Sequence, residues 1–186
     1  MDPFAPKPNP TKVATKWALI ATGVSIVLTL AYQFLNIAQD SPARYLSLLP
    51  FIAFIILAQI EYRQVLGGSI TFGQAFSTGF RVALFAGILG AIFMFIYVSY
   101  INPDFITQAM EAQRAKMAEK GMTDEQIEQG MKMSSKVMGP AMISFFAAVG
   151  SAISGAIISL ITAAIVKKDP PPFDGEAYVA PTDATV

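Results

Sequence analysis

The chain contains no cysteine and no histidine. This excludes disulfides, thiolate nucleophiles and every metal site built on sulfur or imidazole, and it removes the side chain most used for proton transfer near neutral pH. Charge is scarce as well: Asp, Glu, Lys and Arg make up 14% of the 186 residues, against about 25% in soluble chains. The charges cancel, so the chain as a whole has no attraction for nucleic acid or anionic lipid. Carboxylates are the only acid–base groups left, and none lies deep in an apolar stretch, which argues against proton-coupled transport. No nucleophile–base pair and no metal-ligand cluster is legible, so neither an enzyme nor a cofactor is expected.

What is present is apolar. The hydrophobic fraction is 54%, gathered into four stretches, roughly Trp17–Leu35, Tyr45–Ile60, Val82–Ile101 and Pro140–Val166. Blocks of this kind read as membrane spans rather than as core helices. The expected fold is all-α: an integral membrane four-helix bundle with an extramembrane helical hairpin between helices 3 and 4. The membrane domain covers 13–168, with spans near 17–35, 45–62, 76–101 and 140–166 and the hairpin at 103–138. Four prolines within residues 1–12, and three that open the segment after Asp169, predict disordered tails at 1–12 and 169–186. A cleaved signal peptide over 1–38 is the rival reading. The first apolar block is longer than an h-region, and no A-x-A-like site follows it.

Local signals divide the chain further. Trp17 is placed as an interfacial aromatic at the start of span 1. Span 2 is the shortest, with Pro50 in its first two turns. Gly67-Gly68 breaks the helix before it, and Thr71 can cap the next one. Span 4, at 27 residues, is about 40 Å long and must tilt or protrude.

The insert between Asn102 and Gly139 carries 11 of the 26 charged residues. Asn102-Pro103-Asp104 reads as a helix start with Asn102 as N-cap, Gly121 as a left-handed stop, and Thr123 to Gln126 as a capping box for a second helix. Acids precede bases in both halves, and Glu128 to Lys132 is a favourable i,i+4 pair. Each helix has a thin stripe: Ile106, Met110, Gln113 and Met117 on one, Ile127, Met131, Ser134 and Met138 on the other. Seven of nine methionines fall in 110–142. Met110, Met117, Ile127 and Met131 therefore form either a docking surface or the seam between the two helices.

Within the spans, Glu61 and Arg81 fall on the same side of the membrane and are a candidate ion pair, either pinning helices 2 and 3 or marking a substrate or proton site. Gln33 and Gln59 lie towards span ends and read as interfacial. Small residues recur every fourth position: Gly79, Ala83 and Gly87 in span 3, and Ala147, Ser151, Gly155, Ser159 and Ala163 in span 4. Such faces serve close packing inside the bundle or a homodimer contact. Lys and Arg divide seven to six between the two sides. Those nearest the span ends (Lys12, Lys16, Lys167, Lys168) favour cytoplasmic termini and a periplasmic hairpin.

Gly68-Ser69-Ile70-Thr71-Phe72-Gly73-Gln74-Ala75-Phe76 with Gly79 following, Asn102-Pro103-Asp104-Phe105, and a polar insert before a last span ended by Lys167-Lys168 together resemble a bacterial membrane family, domain of unknown function 4199. The likeness in layout covers about residues 13–168. It implies a small multi-pass protein of the bacterial inner membrane and carries over no catalytic residue. The expected function is a non-enzymatic structural or partner-binding membrane protein. Its expected partners are the lipid bilayer and either a second copy or an envelope protein, with no nucleic acid. The alternative is a small transporter or channel in which Arg81 and the span 4 serines line a path.

Overall fold

The computed structural model describes residues 8–35 and 48–169, and the fold is all-α. Four helices are long and apolar enough to cross a membrane: α1 (Pro10–Phe34), α2 (Leu48–Val65), α3 (Phe72–Ile96, continued by a π-helical turn over Tyr97–Ile101) and α6 (Pro140–Val166). Between α3 and α6 stand α4 (Phe105–Glu119) and α5 (Asp124–Val137). Residues 1–7, 36–47 and 170–186, with most of both expected tails and the start of the expected second span, lie outside the described residues.

α1 begins earlier than its composition suggests. Pro10 to Lys12, expected in the disordered tail, form its first turn. The side chain of Asn9 accepts a hydrogen bond from Thr11 N at 2.9 Å, and Pro10 takes the first helical position. A proline there loses no hydrogen bond, because the N–H it lacks would have been unpaired anyway. At the other end of α2, Gly67 and Gly68 have φ of 84° and 99°. Gly68 N bonds Arg63 O and Gly67 N bonds Gln64 O, a paired closure that only the left-handed backbone of glycine forms without strain. Thr71 then opens α3 with a reciprocal capping box to Gln74.

α3 is the centre of the bundle, with α1, α2 and α6 all packed on it. Its contact with α6 is the most extensive and runs antiparallel through small residues. A Cβ on Gly79 would stand 2.9 Å from Ser159 Oγ, one on Gly87 3.0 Å from Ser151 Oγ, and one on Gly155 would overlap the Ala83 Cβ. The ladder Gly79–Ser159, Ala83–Gly155, Gly87–Ser151 keeps the four-residue register of both sequences. The small face of α6 is thus covered by the chain's own α3 and is not free for a second copy; Ala147 alone of the five named span 4 residues is exposed. The outward face of α6 carries Ile153, Ile157, Ile161 and Ile165, all exposed. Small residues inside and large aliphatics outside is the arrangement of a bundle solvated by lipid, where close van der Waals packing replaces the hydrophobic effect between helices.

The buried core is gathered at one end. Val13, Ala14, Ile55, Ala58, Tyr62, Ile70, Ala75, Val82, Ala83, Ala163 and Val166 form a single cluster where α1 starts and α6 finishes, here called the terminal end. Main-chain bonds close it: Ile70 and Lys168 exchange N–H to O bonds of 2.8 and 3.0 Å, tying the glycine turn to the residues after α6.

Beyond the opposite end, α4 and α5 pack on each other. Gly121 (φ 74°) ends α4 through the same paired closure seen after α2, with Met122 N bonded to Met117 O and Gly121 N to Ala118 O. Thr123 and Gln126 form the expected capping box, and Lys132 meets Glu128 at 2.9 Å. Asn102 does not cap α4. The helix starts at Phe105 with no side-chain cap, and Asn102 is buried instead, donating to Gln33 Oε1 and Tyr97 Oη at 3.3 Å each. The π-helical turn accounts for the difference: it rotates Asn102 inward, where an amide without partners would be costly.

The α3–α6 ladder leaves no room for growth. Gly155→Ala is expected to lower stability by about 1–3 kcal/mol through overpacking, whereas Gly150→Ala, on the same helix with nothing within 4 Å of the added atom, should change it by less than about 0.5 kcal/mol. Thermal unfolding of the purified protein in detergent distinguishes the two; equal losses would mean that the ladder is not the tight contact.

Candidate functional site

Three polar regions stand out, stacked along the bundle. The first is the terminal corner. Glu61, at the last turns of α2, accepts from Lys16 and, at 2.8 Å, from Trp17 Nε1. The Trp17 ring in turn packs on Phe54, with centroids 5.9 Å apart, and has Lys16 Nζ 5.2 Å from its centroid. The expected Glu61–Arg81 pair is therefore replaced. Arg81 donates to Thr11 Oγ1 at 3.0 Å, and Glu61 is taken by two donors of α1. The reason is direction. A side chain on a helix leans towards the helix N-terminus, so Arg81 reaches down α3 to the first turn of α1, which a reading with a disordered residue 11 does not supply. Tyr62 Oη to Pro8 O (2.9 Å) and Arg63 Nη1 to Val166 O (3.3 Å) complete a closed polar rim.

The second region faces the bundle interior beside the corner, between α2, α3 and α6. Gln59, expected at the interface, is fully buried, as are Thr78 and Ser159. Gln59 Nε2 donates to Ala75 O at 3.2 Å, and Thr78 Oγ1 to Gln74 O at 2.8 Å. Gln59 Oε1 and Ser159 Oγ have no protein partner. The absence of a side chain at Gly79 makes the space for both: an added Cβ would stand 2.6 Å from Gln59 Nε2. Sequence position alone misplaces Gln59, because two turns from a helix end is interfacial only when that turn faces outward.

The third is a cleft of about 410 Å³ in the half of the spans nearer the hairpin. Its floor is Ala86, Gly87, Gly90 and Ala91 of α3; Thr22, Ser25, Thr29 and Tyr32 of α1 form one wall, and Ala147, Ser151 and Ser154 of α6 the other, with Leu48 and Phe51 of α2 at the base. The cleft exists because α1 and α6 both lean on α3 while barely touching each other. Its lining carries no charge. Thr22 Oγ1 donates to Ala18 O, Thr29 Oγ1 to Ser25 O, Ser154 Oγ to Gly150 O and Ser151 Oγ to Ala83 O. Each hydroxyl has a single proton, so these four turn only acceptor lone pairs towards the cleft. At its hairpin end stand the buried Tyr97 and Asn102 and the exposed Gln33, with Tyr97 Oη bonded to Gln33 Oε1 at 2.8 Å.

The hairpin stripe is partly consumed in packing. Ile127 is buried and Met110, Met117 and Met131 are half-buried; Met117 lies against Gly130, and Gln113 Nε2 donates to Ser134 Oγ at 3.0 Å. Met117, Gln113 and Ser134 thus lie in the seam between α4 and α5, and part of the stripe stays accessible. Among the described residues, no group of three or more acids, histidines or cysteines is placed to hold a metal ion.

The corner gives a direct expectation. Lys16 and Glu61 are partly exposed, so Glu61→Gln should cost less than about 1 kcal/mol and leave the Trp17 emission near that of the parent, because the new amide oxygen still accepts from Nε1. Glu61→Ala removes the acceptor and should shift the emission. The chain has one tryptophan, so fluorescence of the two variants reads this contact alone; identical spectra would remove the hydrogen bond from the account.

No curated protein and no solved structure matches the chain. A family described as "Protein of unknown function (DUF4199)" matches residues 16–168. That stretch holds α2 to α6 and all of α1 from Lys16 onward, and on it the chain belongs to this family.

Proposed function

We propose that this protein is a non-enzymatic, multi-pass protein of the bacterial inner membrane that holds a neutral amphiphile of the bilayer in the cleft between α1 and α6. One observation carries the reading: a cavity of about 410 Å³ opens beside lipid-facing helices and is lined by apolar residues, small and large, and by hydroxyls, without a charge. Sites of this size that mix apolar walls with a few fixed polar groups are the usual form of a small-molecule pocket. The outward lone pairs favour an occupant with its own donor, such as the hydroxyl of a monoacylglycerol, attached to an apolar chain that fills the space over Gly87 and Gly90.

The basic residues crowded at the terminal end support cytoplasmic termini and a periplasmic hairpin, which puts the cleft in the outer half of the bilayer. The transport alternative draws less support. Arg81 belongs to the closed terminal rim, Ser159 is buried between Gln59 and Gly79, and only Ser151 and Ser154 reach the cleft.

The test is photocrosslinking in vesicles with a diazirine-bearing monoacylglycerol. Labelled peptides are expected from 22–32 and 147–154. Gly90→Leu, whose side chain enters open space, should lower that labelling at least about fivefold, as expected from losing roughly 1 kcal/mol, without changing the unfolding temperature. Labelling spread evenly over the lipid-facing isoleucines of α6 and indifferent to Gly90→Leu would refute the proposal.

A further inference from the structure

Among the described residues, charge is unevenly placed along the bundle. Six cations gather at the terminal end: Lys12 and Lys16 near the start of α1, Arg63 at the last turn of α2, Arg81 on α3, and Lys167 and Lys168 just past α6. The fold brings them to one level. Arg81 bonds Thr11, beside Lys12; Arg63 bonds the carbonyl of Val166, beside Lys167; and Lys168 pairs with the Ile70 backbone at the mouth of the glycine turn. Among the described residues only two acids stand at this end, and both are engaged, Glu61 with Lys16 and Asp169 with Lys167 at 3.1 Å. Four positive charges among the described residues are left without a carboxylate. Two of them, Lys12 and Lys168, are exposed, and Arg81 is half-buried, offering five N–H donors of which Thr11 takes one bond.

The surroundings name the counter-charge. The collar encircles the ends of membrane-spanning helices at the depth of Trp17, so the anions nearest to it are those of the bilayer surface. Directly beside it, Phe72, Phe76 and Phe80 stack along α3 with centroids 6.5 and 5.8 Å apart, Phe72 being exposed. Cations at the headgroup level above an aromatic strip fit a molecule with a phosphate at one end and acyl chains at the other. Soluble phosphate matches only the first half of that surface. We propose that this collar binds the headgroups of anionic phospholipids in the leaflet it faces, in preference to zwitterionic ones. The proposal stands apart from the cleft, which lies at the other end of the helices and carries no charge.

Trp17 lies within the collar and is the sole tryptophan, so the intact protein carries its own reporter. It is reconstituted in phosphatidylcholine vesicles containing a rising fraction of brominated phosphatidylglycerol, and in a matched series with brominated phosphatidylcholine. Trp17 should be half-quenched at a mole fraction of the anionic lipid about fivefold lower, the factor that corresponds to roughly one surface cation. About 0.5 M salt should erase the difference by screening. The double variant Lys12→Gln with Lys168→Gln, both exposed and outside the core, should reduce the preference at least about twofold. Equal quenching by the two lipids at low salt would overturn the proposal, as would a preference that the double variant leaves intact. Loss of the preference on adding millimolar inorganic phosphate at constant ionic strength would overturn it in favour of a soluble anion.

Discussion

The close approach of α3 and α6 is the contact on which the rest of the molecule depends. In lipid, two helices gain little by hiding leucines from their surroundings, because the surroundings are equally apolar. They gain by bringing backbones near enough for dispersion and interhelical hydrogen bonds, which requires side chains that are scarcely there. Gly79, Ala83 and Gly87 against Ser159, Gly155 and Ser151 supply that surface over two helical turns, and Ser151 Oγ adds a bond to Ala83 O. With α3 and α6 joined, α1 and α2 settle on the remaining faces of α3, and the large aliphatics are left to face lipid.

That arrangement makes the bundle asymmetric along its axis. Towards the terminal end all four spans converge, the buried core is continuous, and a rim of bonds from Pro8 to Lys168 closes it. Towards the hairpin α1 and α6 diverge over the small floor of α3, and the cleft follows from geometry alone. The two ends also differ in electrostatics: among the described residues the closed end collects cations in excess of acids, while the cleft at the open end is lined by neutral hydroxyls. A protein with one tight, charged end and one loose, neutral end has two different surfaces to offer a bilayer, which is why headgroup and amphiphile readings attach to different places.

Between them sits an unresolved polar account. Gln59 and Ser159 are buried with one oxygen each unpartnered, in a region where such groups cost free energy unless bonded. Gly79 is what lets both fit. Their position, at the junction of α2, α3 and α6, puts the polar groups beside the buried apolar cluster.

Much of the local structure is legible in the residues. Gly67, Gly68 and Gly121 must end helices because a left-handed backbone is strained for anything else, and Thr71 and Thr123 start helices because a hydroxyl followed three residues later by Gln closes two free N–H groups. The small faces of spans 3 and 4 are equally visible, being a matter of size and spacing. What could not be read is pairing. Glu61 and Arg81 are correctly brought to one corner by topology, yet each takes partners from the first turns of α1, whose helical start depends on Asn9 and Pro10 acting together. Asn102 looks like a cap and serves as a buried bridge, and Gln59 looks interfacial and lies in the core. The sequence by itself determined the four apolar spans, the helix stops at Gly67, Gly68 and Gly121 and the caps at Thr71 and Thr123, because those depend on hydropathy and on backbone conformation within a few residues. Only the tertiary structure decided which charge meets which, where the polar groups are buried and where a cleft opens, because those depend on helix rotation and side-chain direction, set by contacts between residues far apart in the chain.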